Sequence, residues 1–129
     1  MAGAAQKLIE RFWQIQDGGD YRQLVDLFAE DARLEDPIWG VFEGREAIAG
    51  FMAKMVEEMG RRGIRFTADE IAGDDRVAWA RWTMHSPEGR RGGVGIYRVE
   101  AGRLTYYRDY LDPPAADPPA PDAPTPEAG

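Results

Sequence analysis

Chemistry in this chain must come from carboxylates, arginines, aromatic hydroxyls and one imidazole, because the sequence contains no cysteine and a single histidine, His85. The absence of cysteine excludes disulfides, thiolate nucleophiles and cysteine-ligated zinc or iron–sulfur sites. The only serine, Ser86, directly follows His85. Neighbouring residues on a strand point to opposite faces, so these two cannot form a nucleophile–base pair.

Two carboxylates are the candidates for this chemistry, Asp36 in the segment EDP and Asp109 in the segment YRDYL. The aromatic side chains expected to wall their pocket are Phe12, Trp13, Trp39 and Trp79. Burial in such a pocket raises the pKa of a carboxyl group, whereas a neighbouring arginine lowers it. If no cation lies beside it, Asp36 therefore suits a proton-shuttling base. Because Asp-Pro often begins a turn, a purely structural role for Asp36 is the alternative.

Strand alternation predicts which side chains accompany Asp109 in the pocket. Arg81, Thr83 and His85 share one face of their strand, and Tyr107 shares a face with Asp109 on another. We expect these two faces to meet, so that Asp109 lies beside Arg81 and stays ionised. A cross-strand ion pair with no catalytic role is the alternative for Arg81 and Asp109. His85, near a strand end, has a structural alternative as well.

Helical periodicity precedes strand periodicity along the chain. Apolar spacing predicts three helices, of which the first ends at Gly18, the second begins at Asp20 and the third is closed by Gly60. After Gly63 the period changes to two over IRFTADEIA, RVAWARWTMHS, GGVGIYRVE and RLTYYRDYL, with hairpin turns between them. An earlier short strand, ARLEDPIWG, is interrupted by Pro37. Helices followed by antiparallel strands indicate an α+β fold, in which a strongly curved sheet wraps the helices around a pocket.

Length and composition place these elements in one domain of an ordinary globular protein. The chain has 129 residues and a net charge of −7, which argues against a nucleic-acid or basic membrane partner. No apolar run is long enough to span a membrane, and the N-terminus lacks a signal-peptide layout, so a cytoplasmic location is expected. The domain is predicted over residues 1–111. Residues 112–129 are rich in proline and alanine and are predicted to form a disordered acidic tail.

Two long segments of the chain resemble a known superfamily. YRQLVDLFAEDARLEDPIWGVFEGREAIAGFM, followed by GIYRVEAGRLTYYRDYLDP, resembles the nuclear transport factor 2-like superfamily, in its SnoaL-like and ketosteroid-isomerase-like branch. The resemblance covers nearly all of residues 5–112. It implies a cone of three helices and a bent sheet, usually dimeric. That fold hosts isomerases, epoxide hydrolases, polyketide cyclases and plain binding proteins, so the resemblance is less specific for the reaction.

The resemblance to ketosteroid isomerases implies a role for three positions. Asp36 falls where those enzymes keep their catalytic base. Phe12 and Val94 take the positions of the tyrosine and the protonated aspartate that donate hydrogen bonds to the oxyanion. Neither Phe12 nor Val94 can donate such a bond, so the resemblance implies the base without the isomerase oxyanion hole.

The sequence is also similar to limonene epoxide hydrolase. Its water-activating aspartate corresponds to Asp109, and the arginine that orients this aspartate corresponds to Arg81. The position of the hydrolase's acid is Thr83 here, so the resemblance retains the base and the arginine but not the acid. SnoaL-type cyclases likewise keep an acid–base aspartate near the position of Asp109.

Two classes of function follow from these residues. The first is a cofactor-free acid–base enzyme acting on an apolar small molecule, as an isomerase, an epoxide-opening hydrolase or a cyclase. Its catalytic residues would be Asp36, Asp109, Arg81 and His85. Its substrate-binding residues would be Phe12, Trp13, Trp39, Trp79, Thr83, Val94 and Tyr107. The second class is a non-catalytic binding or assembly domain of the same fold. A deep cavity faced by both aspartates favours the first class, and a filled cone favours the second.

The strands also predict how the molecule associates. Each has two partly apolar faces, so we expect the helices to cover one face of the sheet and a second subunit to cover the other. The side chains assigned to this convex face are Trp82, Met84, Tyr106 and Tyr110. Exposed together, they would form a larger aromatic patch than soluble monomers usually tolerate. The sequence therefore predicts a homodimer built on the convex face.

Overall fold

The computed structural model describes residues 3–18 and 20–113. Its helices are α1 (Ala4–Gly18), α2 (Tyr21–Val25) and α3 (Arg45–Arg62). Its strands are β1 (Phe28–Asp36), β2 (Gly40–Glu43), β3 (Arg65–Gly73), β4 (Val77–Ser86), β5 (Gly89–Glu100) and β6 (Arg103–Leu111). The predicted α+β class is confirmed. The predicted tail lies outside the described residues from position 114 onward.

The helix ends follow from local residue chemistry. The carboxylate of Asp20 accepts a hydrogen bond from the backbone N–H of Arg22 at 3.1 Å, which caps the start of α2 as predicted. The third helix continues two residues past the predicted end at Gly60 and stops at Arg62. Gly63 ends it in the left-handed region with φ of 68°, where glycine carries no steric penalty.

The six strands form one mixed, open sheet in the order β2-β1-β6-β5-β4-β3. All neighbouring pairs are antiparallel except β1 and β6, which run parallel. Register shifts interrupt the β1–β6, β3–β4 and β5–β6 ladders. Such irregularities bend a sheet, and the bent sheet presents a concave face to the helices. Among the described helices, none is long and apolar enough to cross a membrane.

The aromatic core between α1 and the concave face is centred on Phe12. Its ring makes edge-to-face contacts with Trp13, Phe28, Tyr97 and Tyr107, at centroid distances between 5.6 and 6.4 Å. Edge-to-face geometry places the positive ring edge against the negative ring face. This packing fixes α1 against β1, β5 and β6, and so builds the wall from which the functional side chains project.

The structure corrects the face assigned to β4. Ala80 of β4 pairs with Gly95 of β5, and Gly95 pairs with Asp109 of β6, so the three positions share the concave face and the side chains of Ala80 and Asp109 both point into it. The alternation then places Trp82 and Met84 inside, where both line the cavity, and not on the convex face. The sequence analysis expected Asp109 to meet the face of β4 that carries Arg81. Strand β5 lies between β4 and β6, and its pairing brings the other face of β4 to the side of Asp109.

Candidate functional site

A cavity of about 420 Å³ lies between the concave face of the sheet, the helices and the turn that follows β1. This volume is in the range of small-molecule sites. Apolar side chains that line it include Phe12, Trp13, Trp39, Met52, Met55 and Phe66. Asp36 and Asp109 also line it, as does Tyr107. Gln16, Asp17 and Arg65 line it too. The cavity is therefore a largely apolar chamber with a few polar side chains, among them the two predicted carboxyl groups.

Asp109 is held by two aromatic donors inside this cavity. The hydroxyl of Tyr107 donates a hydrogen bond to Oδ2 of Asp109 at 2.8 Å, and Nε1 of Trp82 donates to Oδ1 at 3.2 Å. Burial raises the pKa of Asp109 to about 7, and the negative charge of Asp36 contributes in the same direction. The two hydrogen bonds oppose this rise. A carboxyl group with this pKa both gives and takes a proton near neutral pH.

A second layer of hydrogen-bonded aromatics supports Tyr107. The rings of Tyr97 and Tyr107 stack at a centroid distance of 4.6 Å, and Nε1 of Trp13 donates a hydrogen bond to the Tyr97 hydroxyl at 3.1 Å. Burial raises the pKa of both tyrosines, and the negative charge of Asp109 raises them further. Both hydroxyls therefore stay neutral, and Tyr107 remains a hydrogen-bond donor at any physiological pH.

Two glycines of β5 leave room for the side chains of Trp82, Tyr97 and Asp109. A Cβ atom at Gly95 would lie 2.6 Å from the Tyr97 hydroxyl oxygen and 3.0 Å from Oδ1 of Asp109. A Cβ atom at Gly93 would lie 2.3 Å from Cζ2 of Trp82. Side chains at either position would overlap these atoms, so the glycines permit Trp82, Tyr97 and Asp109 to meet.

Asp36 has a structural task at the cavity wall. Its Oδ1 accepts hydrogen bonds from the backbone N–H groups of Ile38 and Trp39, both at 2.8 Å. These bonds hold the turn that Pro37 begins, as the structural alternative anticipated. The same turn places Trp39 at the cavity. Asp36 thus lines the cavity while shaping its rim.

The predicted pairing of Arg81 with Asp109 is wrong. Nη2 of Arg81 lies 3.1 Å from Oδ2 of Asp112, and these side chains are 49% and 38% exposed. Across residues 3–18 and 20–113, no arginine forms an ion pair with Asp109. Arg81 belongs to the convex face because it follows Ala80, whose side chain points inward. Asp109 consequently lacks the cation that was expected to keep it ionised.

The remaining predicted pocket residues of β4 and β5 lie on the convex face as well. The four concerned are Trp79, Thr83, His85 and Val94. His85 and Thr67 are joined by a hydrogen bond, with Nε2 and Oγ1 2.9 Å apart. Thr83 donates a hydrogen bond to the Asp69 carboxylate. Val94 pairs with Arg81 and Tyr110 in the same outward row. None of the four lines the cavity, so their assignment to the pocket is corrected.

Trp82, Tyr97 and Gly95 are site residues that the sequence analysis did not identify. A signal for Trp82 exists in the sequence, because Ala78, Ala80, Trp82 and Met84 form a face of β4 without a polar side chain. The alternation G-V-G-I in β5 is a second signal, since glycines at every other position of a strand mark a close approach from a neighbour.

Comparisons with known proteins agree with this architecture. Residues 9–107 match the SnoaL-like domain family. A "putative ketosteroid isomerase" from Kribbella flavida is similar over 92% of this chain and 85% of its own, with a TM-score of 0.77 and 19% identity. A "putative isomerase of the SnoaL-like family" from Agrobacterium tumefaciens is similar over 85% and 98%, with a TM-score of 0.68 and 21% identity.

Further solved structures share the fold without a named activity. An NTF2-like protein of unknown function from Mesorhizobium loti is similar over 85% of this chain and 92% of its own, with a TM-score of 0.73 and 23% identity. A comparison with curated proteins found no significant match. At these identities the similar structures establish the fold, and the reaction must be argued from the site.

Proposed function

This chain belongs to the SnoaL-like family, and on that premise we propose that it is a cofactor-free acid–base enzyme that moves a proton on an apolar carbonyl compound. The observation that carries the proposal is Asp109, a carboxyl group with a pKa of about 7 inside an apolar cavity. A perturbed carboxyl group in a cavity is typical of catalytic sites. A protein that only binds apolar ligands would gain nothing from burying one.

The proposed reaction is an isomerisation through an enolate. Ionised Asp109 takes a proton from a carbon beside the carbonyl group, and the C–H electron pair moves into the carbonyl to form the enolate. Protonated Asp109 no longer presents an anion to Tyr107, whose neutral hydroxyl then stabilises the enolate oxygen. Asp109 finally returns the proton to another carbon of the same molecule. No net proton, electron or water is consumed.

This assignment places the base at Asp109, whereas the resemblance to ketosteroid isomerases implies Asp36. Oδ1 of Asp36 is already engaged by two backbone donors of the turn. The epoxide-opening alternative is less well supported, because Arg81 and Thr83 lie on the convex face, away from Asp109. Two of the similar structures are named as isomerases, which agrees with proton transfer on a carbon acid.

The test is deuterium incorporation from D₂O into a panel of apolar cyclic ketones, followed by mass spectrometry. The parent protein should exchange the protons beside the carbonyl group, and Asp109→Asn should reduce this rate by about 100-fold or more. Asp36→Asn is the matched control. The asparagine oxygen can still accept the hydrogen bonds from Ile38 and Trp39, so the turn is retained and exchange should continue.

Each other outcome points elsewhere. Loss of exchange in Asp36→Asn with an active Asp109→Asn would assign the base to Asp36. The panel includes a β,γ-unsaturated ketone, whose conversion to the conjugated isomer reports proton return even without exchange with solvent. A parent protein that binds these ketones in a thermal-shift assay, and neither exchanges nor isomerises any of them faster than the buffer does, would support the non-catalytic binding domain and refute the proposed enzyme.

A further inference from the structure

The sheet contains a gap beside Asp109. Strand β1 pairs in parallel with β6 only as far as Glu35 opposite Arg108. Pro37 cannot donate a ladder hydrogen bond, and the turn capped by Asp36 leads the chain away into β2. Residues 109–111 of β6 continue to pair with β5 on their other side. A slot therefore remains between the turn and the last residues of β6.

A second cavity of about 660 Å³ occupies this slot. It shares part of its wall with the apolar cavity, namely Asp36, Pro37, Ile38, Asp109 and Leu111. Its other side chains differ in character and include Glu35, Val41, Arg91, Arg108 and Tyr110. Asp109 thus lies in a partition, with an apolar cavity on one side and a charged cavity on the other.

The charged groups of the second cavity favour water over an apolar molecule as its occupant. Arg108 lies 3.4 Å from the Glu35 carboxylate and 4.6 Å above the Tyr110 ring, and Arg91 donates two hydrogen bonds to the backbone oxygen of Asp112. Arginine and glutamate side chains retain donors and acceptors beyond these contacts. Removing such groups from water would be costly, so this cavity is better suited to hold water than the largely apolar one is.

We propose that the slot is a rear water channel, through which water and protons reach the Asp109 carboxyl group past the turn that follows β1 and the end of β6. An apolar molecule in the first cavity closes the route through that cavity. The rear route stays open because its walls are the turn and the end of β6, which such a molecule does not occupy. Asp109 can then exchange its proton with solvent while the apolar cavity is filled.

Cysteine accessibility tests the channel, since the native chain has no cysteine. The thiol introduced by Asp109→Cys is treated with a trimethylammonium-ethyl methanethiosulfonate, a permanently charged reagent that enters a hydrated cavity more readily than an apolar one. Each of two exposed valines is then replaced by tryptophan. Val41, 52% exposed, lines only the second cavity, and Val56, 44% exposed, lines only the first.

The expected result separates the two routes. Val41→Trp should slow the modification at least about tenfold, because it fills the slot, and Val56→Trp should leave the rate nearly unchanged. An unreactive thiol in the folded protein, equal slowing by both substitutions, or slowing by Val56→Trp alone would each overturn the channel. If Asp109→Cys does not fold, Leu111→Cys is used, since Leu111 is also part of the partition.

This experiment involves no substrate and no turnover. Its failure would therefore leave the proton-transfer proposal standing, and failure of the ketone exchange test would leave the channel standing.

Discussion

Burying Asp109 disfavours its ionised form, so the side chain that we assign to proton transfer also makes folding depend on pH. Its pKa rises from an ordinary 3.8 to about 7 on folding. Between these pH values the folded chain binds more protons than the unfolded chain. The free energy of unfolding consequently falls as the pH rises through this window, by up to about 4 kcal/mol.

Replacing Asp109 by asparagine removes this penalty. Asp109→Asn should be more stable than the parent protein at pH 8, where the parent carries a buried negative charge. At pH 4.5, where Asp109 is protonated in the folded state, the two melting temperatures should lie much closer together. Thermal unfolding at both pH values measures the difference. A difference that is the same at pH 4.5 and pH 8 would show that the pKa of Asp109 is not raised.

The hydrogen bond from Tyr107 to Oδ2 of Asp109 lowers the pKa of Asp109 and so opposes the effect of burial. Tyr107→Phe removes a donor to the ionised carboxylate and should move the pKa of Asp109 further upward. Tyr97→Phe is the matched control, because it removes a neighbouring buried hydroxyl that does not donate to Asp109. Carbon-13 NMR titration of the Asp109 carboxyl group distinguishes the two variants. Equal titration curves for both would argue against a specific role for the Tyr107 hydroxyl.

At the scale of elements, β5 is the strand on which the site depends. It lies between β4 and β6, and its inward positions opposite Trp82 and Asp109 are Gly93 and Gly95. A larger residue at either position would have to displace a buried aromatic ring or the Asp109 carboxyl group. Overpacking of this kind costs about 1–3 kcal/mol.

Gly95→Ala should therefore destabilise the protein by about 1–3 kcal/mol in urea unfolding. Its Cβ would meet the buried Tyr97 hydroxyl at 2.6 Å. Gly92→Ala in the same strand is the control. There a Cβ would meet Oδ2 of Asp112 at 2.7 Å, and Asp112 is a partly exposed side chain that can move aside. If both substitutions lower the free energy of unfolding equally, the close approach of Tyr97 and Asp109 is not the reason that glycine is required at position 95.

At the scale of the whole molecule, the convex face differs from the one predicted. Trp82 and Met84 are inside, which leaves Tyr106 and Tyr110 from the original set. The correct parity adds Trp79, Val94 and Ile96 to that face. It therefore still presents aromatic and aliphatic side chains, and Tyr110 is 46% exposed. The homodimer on this surface stays a prediction.

Ile96 pairs with Trp79 on one side and Arg108 on the other, so it lies at the centre of the convex face. Ile96→Glu would place a charge within an apolar contact and should convert a dimer into monomers. Light scattering measures the change, and removal of residues 115–129 is the control that should leave the assembly unaltered. A monomeric parent protein, or a dimer that survives Ile96→Glu, would contradict the predicted interface.

The sequence by itself was sufficient for the fold class and for several element ends, because periodicity and turn residues are local properties. The period change after Gly63 predicted the run of antiparallel strands, and Asp20 and Pro37 marked the start of α2 and the end of β1. The fold family also followed from the segments around EDP and YRDYL. Phe12, Trp13, Trp39, Tyr107 and both aspartates were named for the cavity that they line.

Only the tertiary structure decided which of these groups meet. Whether Asp109 faces Arg81 or Trp82 depends on the register of β4, β5 and β6, and a shift of one residue exchanges the two faces of a strand. That register is set by contacts between residues far apart in the chain, such as the indole of Trp82 over Gly93. The raised pKa of Asp109 is equally a tertiary property, since it arises mainly from burial of the carboxyl group among side chains of separate elements.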